Sequence, residues 1–113
     1  MQKYMLIYRG PAEAANQMPS PEEMEAIFKQ WNAWKEEFKA SILDMGDGLK
    51  PEGRVLQSDG SVTDGPYIEA KEVLGGFSIV QAESYEGALE IARACPIRHE
   101  PGSTVEIREL FGF

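Results

Sequence analysis

The first apolar segment of the chain is residues 3–8, KYMLIY, in which every position after the lysine is apolar or aromatic. Successive side chains of a β-strand lie on opposite faces of a sheet. The two predicted faces carry Tyr4, Leu6 and Tyr8 on one side, and Met5 and Ile7 on the other. Because both faces are apolar, we expect both to be covered in the folded protein.

A second pattern, with apolar side chains three and four positions apart, predicts an amphipathic helix. Its members are Met24, Ile27, Trp31, Trp34 and Phe38, with Phe28 widening the stripe. Ser20 suits the N-cap, Pro21 the first helical position, and Glu23 the third position of a capping box. Glycine favours the left-handed conformation after a helix, so the pattern predicts that this helix ends near Gly46 or Gly48.

Two short segments, residues 54–58 and 61–64, flank the dipeptide Asp59-Gly60. This dipeptide favours the primed two-residue turn of a β-hairpin, in which both central residues have positive φ. The sequence therefore predicts a hairpin here.

A longer strand is predicted over residues 74–82, LGGFSIVQA. Gly75 and Gly76 near its start indicate a bulge or the close approach of another backbone or a ligand. Ser84 suits the N-cap of a second helix, which is predicted to run to about Cys95, where the following proline stops it.

The last predicted strand is residues 104–110, TVEIREL, in which apolar and polar positions alternate. The element order is then strand, helix, hairpin and strand, helix, strand. This order predicts an α+β, ferredoxin-like fold: an antiparallel sheet with two helices on one face, formed as a single domain by residues 1–113. Two helices cover only one sheet face, so the apolar second face of the first strand predicts a homodimer.

Composition narrows the range of partners. The formal net charge is −8 with no basic run, which disfavours nucleic acid and anionic membranes as partners. The single cysteine cannot form an internal disulfide, and the start of the chain lacks the apolar core of a signal peptide. We therefore expect a cytosolic (cytoplasmic) protein.

Four strings of the sequence carry a family resemblance: KYMLIY, VTDGPYIEAKEVLGGFSIVQAES, ALEIARACP and GSTVEIREL. Together they resemble the YCII-related family, and specifically its DGPF-domain branch, with Tyr67 where that branch usually has phenylalanine. The resemblance implies a dimeric α/β barrel, in which the sheets of two subunits face each other. Members proper of the YCII group carry a His–Asp pair with the histidine in the first helix region, whereas the only histidine of this chain is His99.

Asp64, Gly65 and Pro66 in the DGPY string allow two interpretations. All three residue types are turn formers, and an aspartate side chain can bond backbone N–H groups two residues on. An aspartate at a strand end that opens into a pocket could instead act as a general acid or base, because desolvation would raise its pKa. Asp64 is thus the candidate catalytic residue, and Tyr67, three positions further on, is a candidate for substrate binding.

Lys71 and Arg108 are the candidates for holding an acidic substrate. The alternative for Lys71 is ion pairing with Glu69 or Glu72 on a solvated surface, and Arg108 could equally pair across the sheet. One histidine, one cysteine and scattered carboxylates have no metal-ligand spacing, so neither a metal nor another cofactor is expected.

Two functional hypotheses follow. The first is a cofactor-independent enzyme that uses acid/base chemistry on a small organic molecule in a pocket at the dimer sheet face. The alternative is a non-catalytic ligand-binding module, or a stress-regulatory accessory protein associated with a sigma factor, which is what the resemblance to DGPF relatives implies.

Overall fold

The computed structural model describes residues 1–11, 19–65 and 72–112 of the chain. The strands are β1 (Gln2–Pro11), β2 (Ile42–Gly48), β3 (Gly53–Leu56), β4 (Val62–Gly65), β5 (Glu72–Ala82) and β6 (Thr104–Glu109). The helices are α1 (Pro21–Glu37), α2 (Tyr85–Arg93) and a short 3₁₀ helix (Pro96–His99). Neither α-helix is long and apolar enough to cross a bilayer, as far as the described residues go.

The main sheet has four antiparallel strands in the order β2-β5-β1-β6. The two central strands, β1 and β5, are joined to the edge strands through α1 and α2. This is the ferredoxin-like arrangement that the sequence predicts, with a separate two-stranded sheet, β3-β4, inserted before β5.

The core lies between the sheet and the two helices. Tyr4, Leu6 and Tyr8 of β1 are buried, together with Trp34 of α1 and Ile91 of α2. The indole Nε1 of Trp34 donates a hydrogen bond to the carbonyl of Ile91 at 3.0 Å, so the largest core side chain also has a polar partner. Both helices therefore cover the same face of the sheet, as predicted.

The first helix starts where the sequence predicts and ends earlier. Ser20 is the N-cap, and its side chain accepts a hydrogen bond from the backbone N–H of Glu23 at 3.2 Å. The predicted end near Gly46 or Gly48 is wrong, because α1 ends at Glu37. The residues after it pair with β5 and form the edge strand β2, which the helical pattern conceals.

Gly46 does have the positive φ that the sequence predicts, 71°, but it lies inside β2. The register of β2 against β5 is interrupted between Ile42 and Asp44 and again between Asp44 and Asp47. The glycine therefore marks an irregular strand rather than the end of a helix.

The hairpin forms as predicted, with a different turn. Gly60 has a φ of 93°, whereas no described residue other than glycine has positive φ, so Asp59 does not. The N–H of Gly60 donates to the Gln57 carbonyl at 2.9 Å, and the N–H of Gln57 to the Ser61 carbonyl at 2.7 Å. The turn is thus a three-residue loop with a left-handed glycine at its end, and the primed two-residue turn is wrong.

The second helix begins after Ser84, whose side chain accepts from the Gly87 N–H at 3.4 Å. It ends at Arg93, two residues before the predicted Cys95. Proline then opens the 3₁₀ helix, which leads to β6.

Candidate functional site

A cleft of about 950 Å³ lies at one end of the main sheet. Its walls come from α1, the last residues of β1, the segment joining β2 to β3, and the first half of β5. These elements are far apart in the sequence, and the antiparallel order of β2, β5 and β1 brings them to the same sheet end.

Apolar side chains dominate this cleft. Phe28 from α1, Leu49 after β2, and Leu74 from β5 all line it and remain 60%, 47% and 44% exposed. Large apolar side chains in solvent at a concave surface are typical of sites that bind a ligand or a partner.

Trp31 is an aromatic side chain whose position in the cleft wall is fixed by its ring contacts. Its ring lies 5.6 Å from that of Tyr8 and 5.5 Å from that of Trp34, both in edge-to-face geometry. Since Trp34 is fully packed in the core, these contacts fix the orientation of a half-buried indole that lines the cleft. The sequence pattern predicts Trp31 only as a core residue of the helix.

Beneath the aromatic wall lies a chain of hydrogen bonds. The Tyr8 hydroxyl donates to Ser78 Oγ at 2.7 Å, and Ser78 Oγ donates to the Met45 carbonyl at 2.6 Å. Burial, together with the neighbouring Cys95, raises the pKa of the Tyr8 hydroxyl far above its ordinary value. Burial likewise raises the pKa of the Cys95 thiol. Both groups therefore stay protonated at neutral pH and support packing rather than nucleophilic chemistry.

The charges of the cleft balance. Of its described lining residues, three are basic and three are acidic: Arg9, Lys50, Arg54, Asp47, Glu52 and Glu100. Against a whole-chain charge of −8, this lining repels anions less than the rest of the surface does, yet it has no excess of either sign. Its apolar surface is thus the main recognition element.

Asp64, the candidate catalytic residue, lies in β4 next to the cleft. Its carboxylate is 88% exposed and forms an ion pair with Arg54 across the hairpin at 3.3 Å. Arg54 and Gly65 line the cleft, whereas Asp64 does not. The geometry places Asp64 in water at the margin of the site.

Arg108 lies on the open face of the sheet, away from the helices. Its guanidinium bonds Glu106 at 3.3 Å, and Arg9 bonds the same carboxylate at 3.2 Å. These hydrogen bonds, that from Arg108 first, lower the pKa of Glu106. Arg108 does not line the cleft, so the structure does not bring it together with Asp64 there.

Gly75 and Gly76 lie where β5 meets β1 and β2. The register of β5 against β1 skips Gly75, and the Gly75 carbonyl accepts the N–H of Leu49 at 2.8 Å. A side chain at Gly76 would place its Cβ 2.7 Å from the Asp47 carbonyl oxygen, so this glycine permits the close approach of β2.

Other predicted site residues lie beyond what the structure covers. Pro66, Tyr67 and Lys71 are outside the described residues, as is the side chain of His99. Within the described part of the chain, no three histidine, cysteine or carboxylate side chains are grouped to hold a metal ion.

Comparison with known proteins bears on the family alone. A search of curated proteins finds no match to the chain. The YCII-related domain matches residues 1–113, the entire chain, as the four sequence strings predict. This protein, with its ferredoxin-like sheet and apolar cleft, therefore belongs to the YCII-related family.

Proposed function

We propose that this protein binds a small organic molecule in the cleft at the end of its main sheet. The observation that carries the proposal is the exposure of Phe28, Leu49 and Leu74 within one cavity of about 950 Å³. The cavity is within the size range of small-molecule sites, about 300–1,000 Å³. Covering apolar surface contributes about 25 cal/mol per Å², which favours a ligand that fills the apolar wall.

Acid/base turnover of that ligand, without a cofactor, is the second candidate function. Asp64 directly precedes the cleft residue Gly65, and it is paired with the cleft residue Arg54. A catalytic role would require loss of water from the Asp64 carboxylate when ligand or a second subunit covers it. Binding alone requires no such change, so we favour binding.

We further propose that the protein is a homodimer, with two sheets facing each other as in the dimeric α/β barrels. The open face of the sheet carries two directly opposed apolar pairs, Met5 with Ile79 and Ile7 with Phe77. All four side chains are only partly buried, because both helices pack on the other face.

The assignment to the DGPF branch, the cytosolic location and the sigma-factor association of the alternative hypothesis stay predictions.

A thermal-shift screen of small organic molecules tests the binding proposal. We expect a ligand that raises the unfolding temperature of the wild type, with the shift lost in Leu49→Ser and kept in Leu56→Ser. Leu56 is the matched control, since it is 72% exposed and lies outside the cleft. Equal shifts in both variants would show that the ligand binds elsewhere.

Turnover of the ligand that survives in Asp64→Asn would show that Asp64 has no part in the chemistry.

Sedimentation equilibrium tests the dimer. We expect about twice the chain mass of 12.6 kDa for the wild type, and the single-chain mass for Ile7→Glu with an unchanged circular dichroism spectrum. A wild-type protein that sediments as a folded monomer would exclude the dimer.

A further inference from the structure

Gly75 lies at the bulge where the ladder of β5 against β1 is interrupted, yet neither its φ nor the packing of the described residues around it requires glycine. Its φ is not positive, since only Gly46, Gly60, Gly102 and Gly112 have positive φ among the described residues. A Cβ built on Gly75 would meet only the Tyr8 carbonyl oxygen within 4 Å, at 3.7 Å, which is an ordinary contact.

The neighbouring glycine has a different role. A Cβ on Gly76 would lie 2.7 Å from the Asp47 carbonyl oxygen and 3.3 Å from the Cα of Gly48, so packing between β2 and β5 requires glycine there. Glycine inside a strand weakens it, because it costs conformational entropy and packs no side chain. At Gly76 the close strand approach explains this cost. At Gly75 it does not, and a bulge without positive φ accepts residues other than glycine.

The position of Gly75 supplies another explanation. It lines the cleft, where the missing side chain leaves backbone open to a bound molecule. Any larger residue here would place its side chain within or beside the volume that the ligand occupies. The missing side chain at Gly75 would then leave room for the ligand.

The opposite requirement, a surface for the ligand to pack on, is met by α1. Trp31 is fixed by edge contacts with Tyr8 and Trp34, and Phe28 lies three positions earlier, exposed in the same cleft. Rigid aromatic side chains bind flat rings well, since stacking adds to the effect of area burial and little side-chain freedom is lost. The balanced charges of the lining favour a ligand without net charge.

We infer that the ligand is a flat, aromatic or otherwise unsaturated molecule without net charge, and that the missing side chain of Gly75 helps to admit it. This inference rests on the proposed small-molecule binding in the cleft. It adds the class of ligand, the packing of the ligand on Trp31 and Phe28, and the role of Gly75 in leaving room for it.

Calorimetric titration with three probes of similar size tests the ligand class. The probes are 2-naphthol, which is flat and neutral, decahydro-2-naphthol, which is saturated, and 2-naphthoate, which is anionic. We expect 2-naphthol to bind at least about tenfold more tightly than either of the others. Equal affinity for the saturated probe, or tighter binding of the anion, would overturn the class while leaving binding in the cleft intact.

The variants Gly75→Val and Gly75→Ala test whether the missing side chain of Gly75 admits the ligand. We expect Gly75→Val to reduce 2-naphthol affinity at least about tenfold, with Gly75→Ala intermediate and the urea midpoint of both no lower than that of the wild type. Leu56→Ser should bind like the wild type. Gly76→Ala should instead lower the midpoint. Wild-type affinity in Gly75→Val, or loss of stability in Gly75→Ala equal to that in Gly76→Ala, would overturn the role of Gly75.

The two proposals fail differently. If no probe binds but the library screen yields a ligand that requires Leu49, the flat-ligand inference is wrong and the cleft still binds. If no library member stabilises the protein in a manner that depends on Leu49, the proposed function itself is wrong.

Discussion

Two regions of the molecule differ in what holds them together. One is the four-stranded sheet with its two helices, and the other is the β3–β4 hairpin. Every buried apolar side chain among the described residues belongs to the sheet, the helices or the turn after α2, and none to the hairpin. In the hairpin, Leu56 and Val62 oppose each other across the strands and stay 72% and 59% exposed. Its described contacts include a strand ladder, a turn and exposed polar pairs such as Arg54–Asp64.

The overall dimensions agree with this division. The radius of gyration, 15.4 Å, exceeds the value of about 13 Å expected for a compact chain of this length. The sheet and helices thus carry the stability of the fold, while the hairpin adds Arg54 and Val55 to the cleft wall and leaves Leu56 and Val62 exposed. The cleft wall is therefore built mainly from the stable sheet and helices, with a smaller contribution from the hairpin.

Removal of the largest core side chain should distinguish the two regions most clearly. We expect Trp34→Ala to lower the free energy of unfolding by about 3–5 kcal/mol, through loss of burial and an unfilled cavity. Leu56→Ala in the hairpin should change it by less than about 0.5 kcal/mol. Urea unfolding, followed by circular dichroism, measures both. Similar losses in the two variants would show that the hairpin is part of the stable core.

Two glycines with positive φ offer a matched pair, Gly46 in the sheet and Gly60 in the hairpin. A Cβ at Gly46 would overlap the Phe77 carbonyl, whereas one at Gly60 has no described heavy atom within 4 Å. We expect Gly46→Ala to lower the free energy of unfolding by about 2–4 kcal/mol, because backbone strain at positive φ and steric overlap combine. Gly60→Ala should loosen only the hairpin, with a change in global unfolding below about 0.5 kcal/mol. The contrary order of unfolding midpoints would refute this.

A smaller effect is expected from the buried hydrogen-bond chain. Tyr8→Phe removes the bond to Ser78 Oγ, yet Ser78 still donates to the Met45 carbonyl, so no buried donor is left without a partner. We therefore expect a loss of about 1 kcal/mol. Ser78→Ala is the variant for comparison. It removes both hydrogen bonds, so the free energy of unfolding should fall further than in Tyr8→Phe. Equal values for the two variants would mean that the Tyr8 hydroxyl carries the whole effect.

The smallest effect concerns acid stability. Hydrogen bonds from Arg108 and Arg9 lower the pKa of Glu106, and bonds from Ser61 lower that of Asp59. A depressed folded-state pKa adds stability above the unfolded-state value, and that stability is lost as pH falls through the folded-state pKa. Between about pH 5 and pH 3, the urea midpoint of Glu106→Gln should fall less than that of the wild type. Asp59→Asn should show the same global pH dependence as the wild type, because its hairpin lies outside the core.

Local signals in the sequence predicted several elements correctly. The caps at Ser20 and Ser84 act within a few residues of their own position, so they predict where α1 and α2 begin. Alternation in the first strand predicted that both faces of β1 are apolar. The family strings predicted the family, since they span nearly the whole chain.

The wrong end of α1 has its cause in an interaction between distant residues. Residues 42–48 form a strand because β5 offers a ladder 28 to 38 positions away, a partner that helical periodicity and glycines do not reveal. Asp64 was predicted from its motif, and only the hairpin geometry shows that it faces solvent beside the cleft.

By itself, then, the sequence determined the element types other than β2 and the 3₁₀ helix, the two apolar faces of β1 and the family, because these depend on side-chain periodicity, caps and contiguous motifs. The tertiary structure decided the edge strand β2, the outlying hairpin and the cleft. The cleft combines Phe28, Leu49 and Gly75, which are separated by at least 21 positions and meet only when the sheet order is complete. Long-range strand pairing decides such convergence, and the local sequence pattern does not record it.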